Sequence, residues 1–254
     1  MILTVDIGNT NIVVGVFDNS QLLSRYRLSS DTQRTSDEYA VLLAALLSKQ
    51  CPLSAVDALV IGSVVPVLSD TLDSALQQLF HRKPFHVTHA TPMAVKNCYA
   101  KPNEVGVDRL ANAVGGTMIY GAPLIIVDIG TAVTLDVVSK DSEYLGGAIL
   151  PGIEISAEAL ARKTARLPRV APHEPHHAIG RTTVESIRSG LLNGMVGAID
   201  RLLEDMWKEL GYTTTTVATG GLAQVLIGRS RYVSAIHEDL TLRGLLEIYR
   251  FNHP

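Results

Sequence analysis

Apolar and polar residues alternate from the start of the chain in blocks that read as strands. Ile2 to Val5 is a short apolar run that ends on an acid, Asp6. Gly8, Asn9 and Thr10 interrupt it, and Ile12 to Phe17 resumes it. This pattern predicts two strands joined by a tight hairpin, with Gln21 to Leu28 as a third strand. The same pattern returns in the second half. Leu124 to Val127 ends on Asp128, Ile129-Gly130-Thr131 makes the turn, Ala132 to Val138 follows, and Glu143 to Leu150 is the third run. Val-Asp-Ile-Gly occurs in both copies. A repeat this long indicates a duplicated unit rather than a solenoid. Helical periods fill the space between. Ser36-Asp37-Glu38 caps a helix carrying Tyr39, Leu42, Leu43, Leu46 and Leu47. Val56 to Val65 is a buried strand, Leu68 to Phe80 a helix, and His86 to Thr88 a short strand. A helix with Ala111, Ala113, Val114, Gly115 and Ile119 closes the first half. In the second half, Ile153 to Leu160 is a helix. A long helix starts near Thr182 or Thr183, either of which can cap it with Glu185 or Ser186. Its apolar stripe is Ile187, Leu191, Met195, Ile199, Leu202, Leu203 and Met206. Thr216 to Thr219 is a strand, and Asp239 is the expected cap of the last helix. This order gives an α/β fold with mixed sheets covered by helices.

Composition narrows the function class. The 254 residues are 46% hydrophobic and 19% charged, as in a well-packed globule. A net charge of −3 gives no electrostatic case for nucleic acid or an anionic membrane. Cys51 and Cys98 make no disulfide framework. No apolar run is long enough to span a bilayer, and the chain opens directly on a core strand, so a cytoplasmic enzyme is expected.

The chemistry gathers at the turns. Gly8 lets backbone approach a ligand closely, and successive N–H groups in such a turn can cradle phosphate, although an ordinary hairpin also favours Asn and Gly. Asp6 would repel phosphate directly but suits a Mg²⁺ that bridges phosphate oxygens. Two such hairpins facing each other would clamp a nucleotide. Gly106-Val107-Asp108-Arg109 lies near a helix N-terminus, where anions are favoured. Asp108 reads either as a cap or first-turn residue, or as the acceptor of a substrate hydroxyl proton, with an ordinary carboxylate pKa near ~4. Arg109 suits a carboxylate or phosphate. Gly146-Gly147 with Pro151-Gly152, and Gly220-Gly221, are further glycine turns after strands. Residues 162–177 read as a loop with Pro168, Pro172 and Pro175. Its His173, His176 and His177 lack acids or cysteines at ligand spacing, which argues against a metal.

Six stretches resemble one family in order along nearly the whole chain. They are Asp6-Ile7-Gly8-Asn9-Thr10-Asn11, Gly106 to Arg109, Asp128-Ile129-Gly130-Thr131-Ala132, Gly146-Gly147 with Pro151-Gly152, Gly180-Arg181-Thr182-Thr183, and Thr219-Gly220-Gly221-Leu222-Ala223. The family they resemble is type III pantothenate kinase. It belongs to the acetate and sugar kinase, heat-shock chaperone and actin superfamily. The resemblance implies duplicated ribonuclease H-like halves, here 1–119 and 120–254, with mixed sheets flanked by helices and an ATP cleft between the halves. It implies ATP-dependent phosphorylation of pantothenate to 4′-phosphopantothenate, the first step towards coenzyme A. Asp6, Ile7, Gly8, Asn9, Thr10, Asn11, Ile12 and Val13 would form the first ATP-binding hairpin, with Asp6 organising Mg²⁺ through water. Thr131, Gly220 and Gly221 would also contact ATP. Asp108 would be the proton acceptor, and Tyr99, Gly106, Val107, Asp108, Arg109 and Thr183 would line the pantothenate site. Asp128 would help hold potassium or ammonium, and the protein would work as a homodimer.

Two rivals are kept: a sugar or short-chain acid kinase of the same superfamily, which the Tyr99 to Arg109 stretch argues against, and a non-catalytic regulatory protein. Retention of both Asp6 and Asp108 weighs against the latter. A filament-forming actin relative is disfavoured by the short chain.

Overall fold

A computed structural model describes residues 1–49, 52–171, 173–175 and 177–254. Contacts divide the chain into two compact units: Met1–Ile119 with Asp239–Pro254, and Tyr120–Glu238.

The first unit holds β1 (Ile2–Ile7), β2 (Asn11–Asp18), β3 (Gln21–Ser29), α1 (Ser36–Leu47), β4 (Ala58–Ser63), α2 (Pro66–Phe80), β5 (Phe85–Val87), a two-residue strand β6 (Lys96–Asn97), and α3 (Val107–Tyr120), whose last residue falls across the boundary. The sheet runs β3-β2-β1-β4-β5. β1, β2 and β3 are antiparallel, and β4 and β5 are added in parallel. Alternation decides the faces. Leu3, Val5 and Ile7 of β1 and Ile12, Val14 and Val16 of β2 pack with Tyr39 and Leu43 of α1 and Leu68, Leu72 and Leu76 of α2. The helix α7 (Leu240–Asn252) packs against β1, β2, β4 and β5. Its Leu242 and Leu246 cluster with Phe17. From contiguity the last sixteen residues were expected in the second half. They group instead with the first, because α7 brings the apolar partners for that sheet's second face.

The strand expected over Val56 to Val65 is shorter, Ala58–Ser63. Its end is set by Val64, whose N–H donates to Ile7 O (3.0 Å), and by Pro66, which opens α2 at its first turn, where a missing N–H costs nothing. α1 is capped one residue earlier than read: Thr35 accepts from the Glu38 N–H, and Glu38 returns the bond. Asp239 occupies the N-cap position of α7 without a capping bond; its carboxylate accepts from Arg243 Nε at 2.8 Å.

The second unit holds β7 (Leu124–Ile129), β8 (Ala132–Val138), β9 (Glu143–Pro151), α4 (Ile153–Lys163), α5 (Thr183–Leu210), β10 (Thr215–Thr219), α6 (Ala223–Ile227) and β11 (Ala235–Ile236). Its own strands run β11-β10-β7-β8-β9. The β7–β8–β9 meander is antiparallel, and β10 and β11 are parallel to β7. Ile125, Val127, Ile129, Val133, Leu135 and Val137 meet Leu192, Met195, Val196, Ile199 and Leu203 of α5.

The duplication extends to irregularities. Each meander breaks register near the end of its second strand, at Val16/Phe17 in one and Val137/Val138 in the other. The hairpin turns differ by one residue. Ile7 pairs with Ile12, whereas Ile129 pairs with Val133. His176 and Cys51 lie outside the described residues. Among the described residues, no group of three or more His, Cys, Asp or Glu is placed to hold a metal, and no helix is long and apolar enough to cross a membrane. Cys98 is an exposed free thiol.

Candidate functional site

In the first unit the hairpin turn is held from within and from β3. Gly8 N–H donates to Asn11 O (3.0 Å), Ser30 Oγ donates to Gly8 O (2.6 Å), and Ser30 N–H donates to Thr10 O (3.0 Å). Ser30 thus fixes both sides of the turn, a role no local pattern marks, because the contact spans 22 positions. Asn9 and Thr10 stand exposed at the tip, while Ile7 and Ile12 are buried beneath it. Asp6 is half-buried at the carboxyl end of β1, opposite Val13 on β2 and Gly62 on β4.

Gly62 joins this turn to the start of α3. A Cβ on Gly62 would lie 3.2 Å from Val107 Cγ1, and one on Gly106 would lie 3.5 Å from Val64 Cγ1. The bare face of β4 at Gly62 therefore seats the first turn of α3, which brings Asp108 to the end of the sheet where Asp6 lies. Leu110 N–H donates to Gly106 O (3.3 Å), so Gly106 opens the helix and Asp108 stands in its first turn rather than at the cap. Asp108 Oδ1 accepts from the Arg109 N–H at 2.8 Å. Burial pushes the Asp108 carboxyl above its ordinary value, and the Arg109 N–H and guanidinium oppose this only in part. The ordinary pKa expected from sequence is corrected accordingly: desolvation disfavours the charged form, and burial is what a sequence does not display. Arg109 is itself buried, at 9% exposure. Tyr99 is half-buried, its N–H donating to Asn97 Oδ1 at 3.1 Å.

The second unit repeats the arrangement with more glycine. Gly130 N–H donates to Ala132 O (3.0 Å), and Gly152 N–H donates to Thr131 O (3.1 Å). Thr131 is exposed at the tip. Asp128 is half-buried opposite Thr134 on β8 and Thr219 on β10. Gly220 has φ +92°, and a Cβ there would lie 2.5 Å from Asp128 Oδ1 and 2.6 Å from Ile129 O. Only glycine satisfies both the conformation and the space. Leu222 N–H closes the turn onto Ile129 O at 3.3 Å. Asp128, Gly130, Thr131, Gly152, Gly220 and Gly221 are thus brought together. A carboxylate beside a backbone carbonyl is a hard-oxygen set suited to a cation without a redox role.

Thr183 is exposed in the first turn of α5. The cap is Thr182, whose Oγ1 accepts from the Glu185 N–H (3.2 Å) while Glu185 Oε2 accepts from the Arg181 and Thr182 N–H groups. Thr183 is left to face outward.

Two α/β units, each opening on a strand, an acid and a glycine hairpin, define a duplicated fold of the sugar-kinase kind. A ROK hexokinase from Thermus thermophilus matches with TM-score 0.54 and 16% identity over 100% of this chain and 99% of its own. A conserved Baf family protein from Campylobacter jejuni matches with TM-score 0.62 and 21% identity, covering 99% of this chain and 98% of its own. Those likenesses concern the fold alone. The sequence is more specific. The family model for type III pantothenate kinase matches residues 2–205. A type III pantothenate kinase from Solibacter usitatus is 44% identical over 255 residues, spanning 100% of this chain and 98% of the relative. The chain belongs to the type III pantothenate kinase family.

Proposed function

We propose that the protein transfers the γ-phosphoryl group of ATP to the primary hydroxyl of pantothenate, giving 4′-phosphopantothenate and ADP at the first step towards coenzyme A. The observation that carries the residue assignment is that Asp6, on the strand that leads into the Gly8 hairpin, pairs with Gly62, against which the first turn of α3, with Asp108, is seated.

The pantothenate hydroxyl oxygen bonds to the γ-phosphorus, the bond from that phosphorus to the β,γ-bridging oxygen breaks, and ADP leaves. The hydroxyl proton passes to Asp108. A carboxylate raised by burial is a stronger acceptor than an ordinary one and remains ionised above its pKa. Phosphoryl transfer demands positioning and charge neutralisation more than covalent help. Residues Asp6 to Val13 hold the phosphates, with Thr131, Gly220 and Gly221 contacting the nucleotide. Tyr99, Gly106, Val107, Arg109 and Thr183 orient pantothenate. Asp6 would hold Mg²⁺ through water, and Asp128 would hold potassium or ammonium; both are oxygen donors suited to hard cations. Bound there, the cations supply positive charge against the phosphate oxygens.

A homodimer belongs to this reading, with Thr183 offered to the pantothenate site at or near the subunit contact. It is supported by apolar side chains left exposed on the second unit, Ile149 at 64% and Ile179 at 82%. A cytoplasmic location completes it.

The test is ADP release from ATP and Mg²⁺ with purified protein, run with pantothenate, with hexoses and with short-chain acids, in potassium and then in sodium. Pantothenate-dependent turnover that needs potassium is expected. Turnover on a hexose or acid alone would overturn the substrate. Equal turnover in sodium would remove the role of Asp128.

A further inference from the structure

The helix α7 lies outside residues 2–205, the span of the family match, yet it meets α3 backbone to backbone. A Cβ on Gly115 of α3 would lie 2.6 Å from Leu240 O and 2.9 Å from Gly244 N. A Cβ on Gly244 would overlap the carbonyl of Ala111. Neither position has room for a side chain, so the helices stand as close as their backbones allow.

A polar pair, among the described residues, joins them. Thr241 Oγ1 donates to Asn112 Oδ1 at 2.7 Å. Asn112 is fully buried, at 0% exposure, and an amide oxygen so placed is costly without a donor. It lies one turn beyond Asp108, at the i+4 spacing that puts two residues on one helix face. The two helices also converge at the strand end. A Cβ on Gly62 would lie 2.7 Å from Leu245 Cδ2 of α7 and 3.2 Å from Val107 Cγ1 of α3. Gly62 is the β4 partner of Asp6. The start of α3, the middle of α7 and the strand beside Asp6 therefore share one point of contact.

We propose that α7 is a positioning element for the proton acceptor. Thr241, acting through Asn112, and Gly244, by backbone contact, fix the height and rotation of α3 and so place Asp108 beside the end of β1. This rests on Asp108 being the acceptor. A misplacement of about 1 Å at reacting groups is enough to cost on the order of 10²-fold in rate.

The experiment compares Thr241→Val, which keeps the shape and removes the donor, with Thr241→Ser, which keeps the donor. Leu246→Ala is the control for stability, since Leu246 lies in the Phe17 cluster of the same helix. Should Thr241→Val not fold, Thr241→Ala replaces it. Expected for Thr241→Val is a kcat lower by about tenfold or more with the pantothenate KM within about twofold, a loss of transition-state rather than ground-state interaction. Thr241→Ser restores kcat. Leu246→Ala melts earlier and keeps its kcat. Wild-type kcat in the valine or alanine variant, with Asp108→Asn inactive, would overturn the positioning role alone. An equal kcat loss in Leu246→Ala would reduce it to general stability. Full activity of Asp108→Asn would remove the acceptor, and this proposal with it.

Discussion

Gly220→Ala is the sharpest single perturbation of the second hairpin. The native residue has φ +92°, a region that costs a side-chain-bearing residue roughly 1–2 kcal/mol. The added methyl would also lie 2.5 Å from Asp128 Oδ1, 2.6 Å from Ile129 O and 2.7 Å from Ile129 C. The carboxylate can swing away. The Ile129 backbone cannot, because it forms the end of β7 and accepts the closing bond from Leu222. Overpacking of this kind adds roughly 1–3 kcal/mol, for a total of about 2–5 kcal/mol. In a chain this size that lowers Tm by roughly 5 °C or more. Because Asp128 must move, its proposed role at a monovalent cation site predicts that the potassium concentration for half-maximal turnover rises as well. Gly228→Ala is the matched control, since a Cβ there meets nothing within 4 Å. Thermal unfolding followed by a potassium titration of turnover reads both effects. A Gly220→Ala protein with wild-type melting and wild-type potassium dependence would refute the packing of Asp128 beneath this turn.

Asp108→Asn leaves ATP affinity unchanged, measured by calorimetry, and cuts pantothenate-dependent turnover by about 10²-fold or more. Its stability moves the other way. Because the folded state raises the Asp108 pKa, the fold prefers the protonated form, so the wild type's deficit relative to Asp108→Asn grows as pH rises through the raised value and fades below the ordinary carboxylate range; melting curves across pH check the sign. The acid limb of wild-type kcat lies above the ordinary carboxylate value of about 3.9, read from a pH–rate profile. Thr182→Ala costs about 1 kcal/mol by removing the cap bond to Glu185, seen in melting, whereas Thr183→Ala leaves melting unchanged and raises the pantothenate KM.

The hairpins were legible in the sequence because their signals are local. An apolar run, an acid and a glycine fall within eight residues, and the second copy confirms the first. The cap of α5 was legible to within one residue: Thr182 with Glu185 and Thr183 with Ser186 are both three apart, and the fold uses Thr182. Thr35 and Glu38 carry the same signal, and Ser36 drew attention from it. Contacts distant in sequence left no such mark. Ser30 gripping the first turn, Thr241 reaching Asn112, and α7 covering the first sheet exist only once the chain is folded. The raised Asp108 carboxyl belongs with these, because it depends on what surrounds the side chain rather than on its neighbours in sequence.

The place of α7 bears on how the protein is made. The strands of the first sheet are made before the second unit, and the helix that seats on Gly15, Phe17 and Gly62 is made after it. Until α7 has been made, that sheet has one apolar face bare, and α3 lacks the neighbour against which it is set. The nascent chain must therefore keep these strands protected from other chains while the whole second unit is made between them and α7.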